Sequence, residues 1–299
     1  MSRNSDVLLQ LLDDHNWISA AWWDDPNDPH ELHILHRRQA MQAQVALPND
    51  LHNVRIVRHV SAPIRTLEAL VESTDPTNTH QACQDEPIQL GCQCQPQAAN
   101  WVGTAGAPVS WNNKDGERLW GFLSNWHVLA SGQERIGRTI HQPTMQRGAF
   151  ATLADWGSVS PSAVNNFDAA IADTLIGTYH TISSRILELG DLCPTPVRAH
   201  VGLEVCKSGR TTGLTCAVCT ATGAAVRVGY GDFTANFQDQ DVYISTGSAF
   251  SAPGDSGSLI VDQAQHCPVS LLFAGSSEIT IGNPIHYVVD RFRLSFNLK

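Results

Sequence analysis

The residues best suited to covalent chemistry lie in SAPGDSGSLIV, where Gly254-Asp255-Ser256-Gly257 sets a hydroxyl between two glycines just ahead of the apolar run Leu259-Ile260-Val261. Glycine at 254 permits a backbone in which the amides of Gly254 and Ser256 point at one spot, as stabilising a tetrahedral oxyanion requires. A serine hydroxyl is inert near neutral pH unless a base removes its proton and an acid orients that base. His127, at the end of the apolar run in LSNWHVLA, is the candidate base, and Asp168, opening the run in NNFDAAIADT, is the candidate acid. Each is ambiguous alone: a solitary histidine is commonly structural, an acid at a strand start commonly an end cap, and GDSG also suits a plain tight turn. Together they describe acyl transfer, with Ser256 as nucleophile, His127 as general base and then acid, and Asp168 holding the imidazole.

Those side chains need a scaffold of short strands. From Trp101 onward, LWGFLS, FDAAIADT, LEVCKSG, DVYIST, SLIVD and PVSLLFAG recur with turn residues between them, which predicts a barrel or sandwich. At the end, Asn283-Pro284 caps a helix in which Ile285, Val288, Val289 and Phe292 share one face. The 299 residues, 42% apolar and only 16% charged with 22 Gly and 15 Pro, favour a compact, turn-rich, all-β protein over a helical bundle or a disordered chain. Nineteen basic against 29 acidic residues give a net charge of -10, so neither nucleic acid nor an anionic membrane is an expected partner. The N-terminus carries a short apolar patch followed by acids instead of a secretory signal, and no apolar run reaches about 18 residues; a cytoplasmic protein is expected.

The order His127, Asp168, Ser256, with gaps of 41 and 88 residues, resembles the chymotrypsin-like (trypsin-fold) serine peptidases. KSGRTTGLT, GDSGSLI and LLFAGSS followed by NPI resemble more closely the NARROW LEAF 1-like and related bacterial trypsin-like group. The resemblance covers about residues 86 to 295. It implies an all-β fold of two six-stranded β-barrels with a C-terminal helix, His127 and Asp168 on the first barrel and Ser256 on the second. Residues 1–80 are expected to form a small, partly helical extension and 81–299 the peptidase domain. In the extension, Val7, Leu8, Leu11 and Leu12 fall on one helical face behind Ser5 as N-cap, Leu32, Leu35 and His36 continue a broken helical pattern, and NVRIVRHV (53–60) reads as a strand.

Asp255 also needs a partner, since an unpaired buried carboxylate would disorder the oxyanion turn. Pro87 in PIQLG (87–91) is a poor residue to cut behind, so a fixed internal cation, Lys207 or Arg210 of the KSGRTTG turn, is expected rather than a new N-terminus. Alignment to the fold puts the base of the specificity pocket near Phe250 and Ser251, with Ala274, Gly275 and Ser276 as a wall. No acid lies at that base, so a small or moderately apolar side chain is expected before the cut, with Glu278 near enough in sequence to alter this.

Eight cysteines without a signal sequence are expected to stay thiols, including Cys206 and Cys216, where secreted relatives carry a disulfide. The Cys92-x-Cys94 and Cys216-x2-Cys219 pairs invite a zinc reading, but a one-residue gap is unusual for a zinc knuckle, the histidines nearby are not at ligand spacing, and no cysteine sits in a glycine-flanked nucleophile turn, so no metal and no cofactor are expected. The expected partner is a protein or peptide substrate, cut by a selective serine endopeptidase. Trp17, Trp22 and Trp23 beside acidic residues mark the extension as a docking or self-association element, or simply as packing on the barrel. The competing reading is a catalytically weak binding or assembly module.

Overall fold

The computed structural model describes residues 3–25, 28–37, 54–174, 182–245 and 247–297. Helix α1 (Arg3–Asp14) buries Leu8, Leu11 and Leu12, the face its spacing predicts. Ser5 is not its N-cap, because the helix already begins at Arg3. Three strands follow, β1 (Ile18–Trp23), β2 (Glu31–His36) and β3 (Arg55–Val60). The helical reading of Leu32, Leu35 and His36 is thereby corrected. β2 pairs antiparallel with β1 and parallel with β3, and these two ladders satisfy its backbone where a short amphipathic helix would satisfy only itself.

Next come two very short strands, β4 (Arg65–Thr66) and β5 (Ala69–Leu70), separated only by Leu67 and Glu68. A first set of strands comprises β6 (Ile88–Leu90), β7 (Cys92–Pro96), β8 (Trp101–Ala105), β9 (Ala107–Asn112), β10 (Arg118–Ser124), β11 (Thr139–His141), β12 (Ala149–Gly157) and β13 (Ala169–Thr174). Between β10 and β11 lies the one-turn helix α2 (Trp126–Leu129). Pairing runs β5-β8-β7-β11-β12-β13-β10-β9. β8 and β9 are one strand bent at Gly106, where a side chain is impossible: a Cβ would lie 1.8 Å from the Gly257 carbonyl oxygen. Through that bend the ladder of the first half returns towards its start.

β14 (Ile182–Ile186) and β15 (Gly190–Asp191) join β6 in a small side sheet. The second half contains β16 (Glu204–Gly209), β17 (Gly213–Gly229), β18 (Thr234–Ser245), β19 (Leu259–Asp262), β20 (Pro268–Gly275) and β21 (Thr280–Pro284). Its pairings run β16-β19-β20-β21-β18-β17 and return through β16–β17, so six strands are linked in a ring. Helix α3 (Ile285–Phe292) ends the architecture. Its Ile285, Val288 and Phe292 pack on Val109 and Leu123 of the first half and Leu259 and Leu271 of the second, each buried side chain contributing roughly 1.5–3 kcal/mol. No helix among the described residues is long and apolar enough to cross a membrane.

The segment ahead of residue 81 is woven into both halves. β1 continues the second sheet beyond β17, β4 pairs with β17 and β20, and β5 pairs with β8 of the first half. The peptide between β4 and β5 therefore crosses the boundary between the two halves.

The cysteines also differ from expectation. Cys206 and Cys216 stand directly opposite each other in the β16–β17 ladder and are joined as a disulfide, and Cys193 is joined to Cys267. Among the described residues Cys83, Cys92, Cys94 and Cys219 are free thiols.

Candidate active site

His127 lies on α2, directly after β10, and Asp168 immediately precedes β13, the neighbour of β10 in the sheet. That adjacency brings the His127 Nδ1 to 2.6 Å from Asp168 Oδ2, while the His127 backbone N–H donates to Asp168 Oδ1 at 3.2 Å. Asp168 is fixed further by Asn125 Nδ2, which donates to its carbonyl at 2.7 Å, and by its own N–H, which donates to Asn283 Oδ1 at 3.0 Å. The Tyr230 hydroxyl donates to Asp168 Oδ2 at 2.7 Å. Burial drives the Tyr230 pKa far up, reinforced by that carboxylate, so Tyr230 remains a donor across the accessible pH range.

Burial presses the His127 pKa down, but the Asp168 carboxylate, its hydrogen bond and the nearby Glu68 charge outweigh this, and the net direction is upward. The Nε2 atom makes no hydrogen bond and lies 3.7 Å from Glu68 Oε2.

Ser256 sits on the turn between β18 and β19. Gly254 has φ +107° and Gly257 φ +97°. A Cβ at 254 would meet Thr211 Oγ1 at 2.3 Å, and one at 257 would meet Ser124 Oγ at 2.2 Å. Both positions thus need glycine for conformation and for space. Asp255 holds the turn from behind: its Oδ1 accepts from the N–H groups of Thr211 and Thr212 at 2.8 and 3.2 Å, and its Oδ2 from Thr212 Oγ1 and the Ala252 N–H at 2.8 and 2.9 Å. Of the two cations expected there, Lys207 places Nζ 3.8 Å from Asp255 Oδ2, with both groups buried. Burial lowers the Lys207 pKa to about 8 against the opposing pull of Asp255. The Arg210 guanidinium is turned away, donating to Gln93 Oε1 and to Ser73, because those oxygens and not Asp255 line its path.

The amides of Gly254 and Ser256 do converge, and on an atom of this same chain. They donate to the Leu67 carbonyl oxygen at 2.5 and 3.3 Å. The Leu67 N–H donates to Ser256 Oγ at 3.0 Å, and that hydroxyl donates to the Phe273 carbonyl at 3.1 Å in preference to His127. Ser256 consequently has no exposure to solvent.

The Leu67 side chain belongs to an apolar cluster with Phe250 and Tyr243, and a Cβ on Gly275 would stand 3.2 Å from Leu67 Cδ1. Ala274 and Gly275 face Thr66 and Arg65 across the β4–β20 ladder. Ser251 Oγ is bonded to Thr280 Oγ1 at 2.5 Å. Ser276 lies further out, with its Oγ 2.8 Å from Ser61 Oγ. Glu278 lies beside Ser61 and Ser276, accepting from Ser61, Ala62 and Ser276; burial is the largest single influence and opposes its ionisation, but the hydrogen bonds from Ser277, Ser61, Ser276 and the Ala62 N–H together outweigh it and hold its pKa at about 2.

Among solved structures, alpha-lytic protease homolog N4 superposes with a TM-score of 0.51, covering 71% of this chain and 100% of its own at 15% identity. Thermobifida fusca Protease A gives a TM-score of 0.50, covering 70% and 97% at 20% identity. The fold is that of the chymotrypsin-like serine proteases. Protein NARROW LEAF 1 from Oryza sativa subsp. japonica is 26% identical over an alignment of 218 positions that covers 63% of this chain. The chain spans about a third of that relative's length, 36%. No family model matches the chain.

On this chymotrypsin-like scaffold, sequence reasoning missed Tyr230, Leu67, Glu68 and Phe273. Asn283 was read as a helix cap, yet its side chain serves Asp168. Nothing in the local pattern of TLEAL (66–70) signals that it meets a turn almost 190 residues away.

Proposed function

We propose that this chain is a serine endopeptidase in which Ser256 attacks the scissile carbonyl, His127 accepts and returns the proton, and Asp168 orients the imidazole. The Gly254 and Ser256 amides receive the oxyanion, and Asp255, backed by Lys207, holds their turn. The observation that carries this reading is the convergence of those two amides on the Leu67 carbonyl oxygen beside the Ser256 hydroxyl, with His127 Nε2 3.7 Å from the carboxylate of Glu68, the next residue in the chain. Donors fixed in advance and shielded from water stabilise developing negative charge far better than mobile solvent does. Residues 81–299 would form the peptidase unit.

The substrate is an extended protein or peptide segment. The edge of β20 at Ala274 and Gly275 offers backbone partners for it, and the surroundings of Phe250 and Gly275 suit an apolar side chain such as leucine before the cut. No cofactor enters the reaction. The competing binding-module reading makes an opposite forecast for one experiment, labelling with a serine-reactive fluorophosphonate. Labelling at Ser256, abolished in Ser256→Ala and strongly slowed in His127→Ala, supports the peptidase. Because Leu67 covers the serine, the same labelling is run on a Leu67→Asp chain; absence of Ser256 labelling in both backgrounds sinks the enzyme reading.

A further inference from the structure

The atoms around Ser256 treat residues 61–70 as a bound substrate. The Leu67 carbonyl oxygen occupies the position between the Gly254 and Ser256 amides. The Leu67 side chain is 6% exposed and shares the apolar cluster of Phe250. On the upstream side Thr66 and Arg65 pair antiparallel with Ala274 and Gly275, and Ser61 bonds to Ser276 and Glu278. On the downstream side Ala69 and Leu70 pair antiparallel with Val102 and Trp101 of the other half. A segment that merely packs on a groove has no reason to place one carbonyl oxygen on both oxyanion amides while forming ladders on either side of it.

We infer that the Leu67–Glu68 peptide bond is a self-cleavage site, cut within the same chain by Ser256, and that until it is cut the segment closes the cleft to other substrates. The inference rests on the peptidase reading given above. In the first step Ser256 Oγ bonds to the Leu67 carbonyl carbon, the bond to the Glu68 nitrogen breaks, and the Ser256 proton passes through His127 Nε2 to that nitrogen, leaving Glu68 as a free amine. In the second step a water molecule, deprotonated by His127, attacks the Leu67 ester; Leu67 leaves as a carboxylate and the serine hydroxyl is restored.

The resting structure is held short of attack by two contacts. The Ser256 hydroxyl donates to Phe273 and not to His127, and the Glu68 carboxylate lies beside His127 Nε2. Turning the Ser256 side chain from the Phe273 oxygen to His127 Nε2 starts the reaction. After the cut, the upstream fragment is retained by β1 on β17 and by α1 packed beneath them, so the two pieces remain together in the native protein.

The test is the intact mass, after denaturation, of the full chain and of Ser256→Ala. The expected result is a pair of fragments, one ending at Leu67 and one beginning at Glu68, at a rate independent of protein concentration, with Ser256→Ala remaining whole. Leu67→Asp should lose the cut and react with fluorophosphonate at least about tenfold faster at Ser256, whereas Leu67→Met should keep the cut and so exclude a general folding defect. A wild-type chain that stays whole while Leu67→Asp labels at Ser256 overturns self-cleavage and leaves the peptidase standing. Failure of both chains to label overturns the peptidase itself. A cut at Leu67–Glu68 that persists in Ser256→Ala, or whose rate rises with concentration, overturns cleavage within the chain.

Discussion

The Leu67 carbonyl oxygen lies 2.5 Å from the Gly254 amide nitrogen, although the two residues belong to opposite ends of the sequence. The relationship ties the segment ahead of the barrels to the turn that carries Ser256, the proposed nucleophile. It also explains why a serine so well placed for chemistry is wholly buried.

Gly254 is the most sensitive position of that turn. At φ +107°, with Thr211 Oγ1 2.3 Å from any added Cβ, Gly254→Ala must tilt the amide off its target. Loss of one oxyanion donor lowers turnover by about 100- to 1000-fold, to be read as the rate of peptide hydrolysis in the Leu67→Asp background. A rate within threefold of the parent would show that this amide is not used.

Much of this site is legible in the sequence, for local reasons. GDSG announces its turn because positive φ demands glycine, and His127 and Asp168 are flagged by the apolar runs that become the paired strands β10 and β13. The helical reading of β2 fails because pairing with β1 and β3 decides between helix and strand in a six-residue stretch such as ELHILH. Tyr230 and Leu67 are invisible for the same reason: each acts through a contact far along the chain, and neither stands in a pattern of its own, while Asn283 is visible only as the cap in Asn283-Pro284 and not as the partner of Asp168. The disulfides escaped because the compartment argument says nothing about the register that sets Cys206 opposite Cys216.

Tyr230 is a positioning residue, acting through Asp168. A hydrogen bond to a charged group is worth about 1.5–3 kcal/mol, so Tyr230→Phe should lower kcat roughly tenfold or more with KM unchanged. Equal kcat in the variant, or a change confined to KM, would remove Tyr230 from the site.

Glu68 gives the self-cleavage step a pH signature. Its charge near His127 Nε2 favours the imidazolium, and the base works only after losing that proton, so the rate rises with pH through the His127 pKa. Glu68→Gln removes the negative charge, lowers that pKa, and should move the rising limb to lower pH. The readout is the single-turnover rate of fragment formation between pH 5 and 9; a limb that stays put or moves upward contradicts the contact.

Lys207 sets a pH dependence of stability. Its folded pKa is depressed from 10.5 to about 8, so between those values the unfolded chain binds more protons than the folded one. Stability from this group therefore rises as pH increases from about 8 towards 10.5, by on the order of 3 kcal/mol at most. Denaturant unfolding at pH 8 and pH 10 should show a larger gain for the parent than for Lys207→Met. An equal or smaller gain would mean that Lys207 is not held in a desolvated pocket.

The nucleophile itself is tested most directly by the burst of nitrophenolate released when the Leu67→Asp chain meets the p-nitrophenyl ester of an acylated leucine. An acyl group trapped on Ser256 gives a rapid release of about one equivalent per chain before the slower steady state, and adding Ser256→Ala abolishes it. No burst, or a burst of the same size without Ser256, would contradict the assignment of this serine as the catalytic nucleophile.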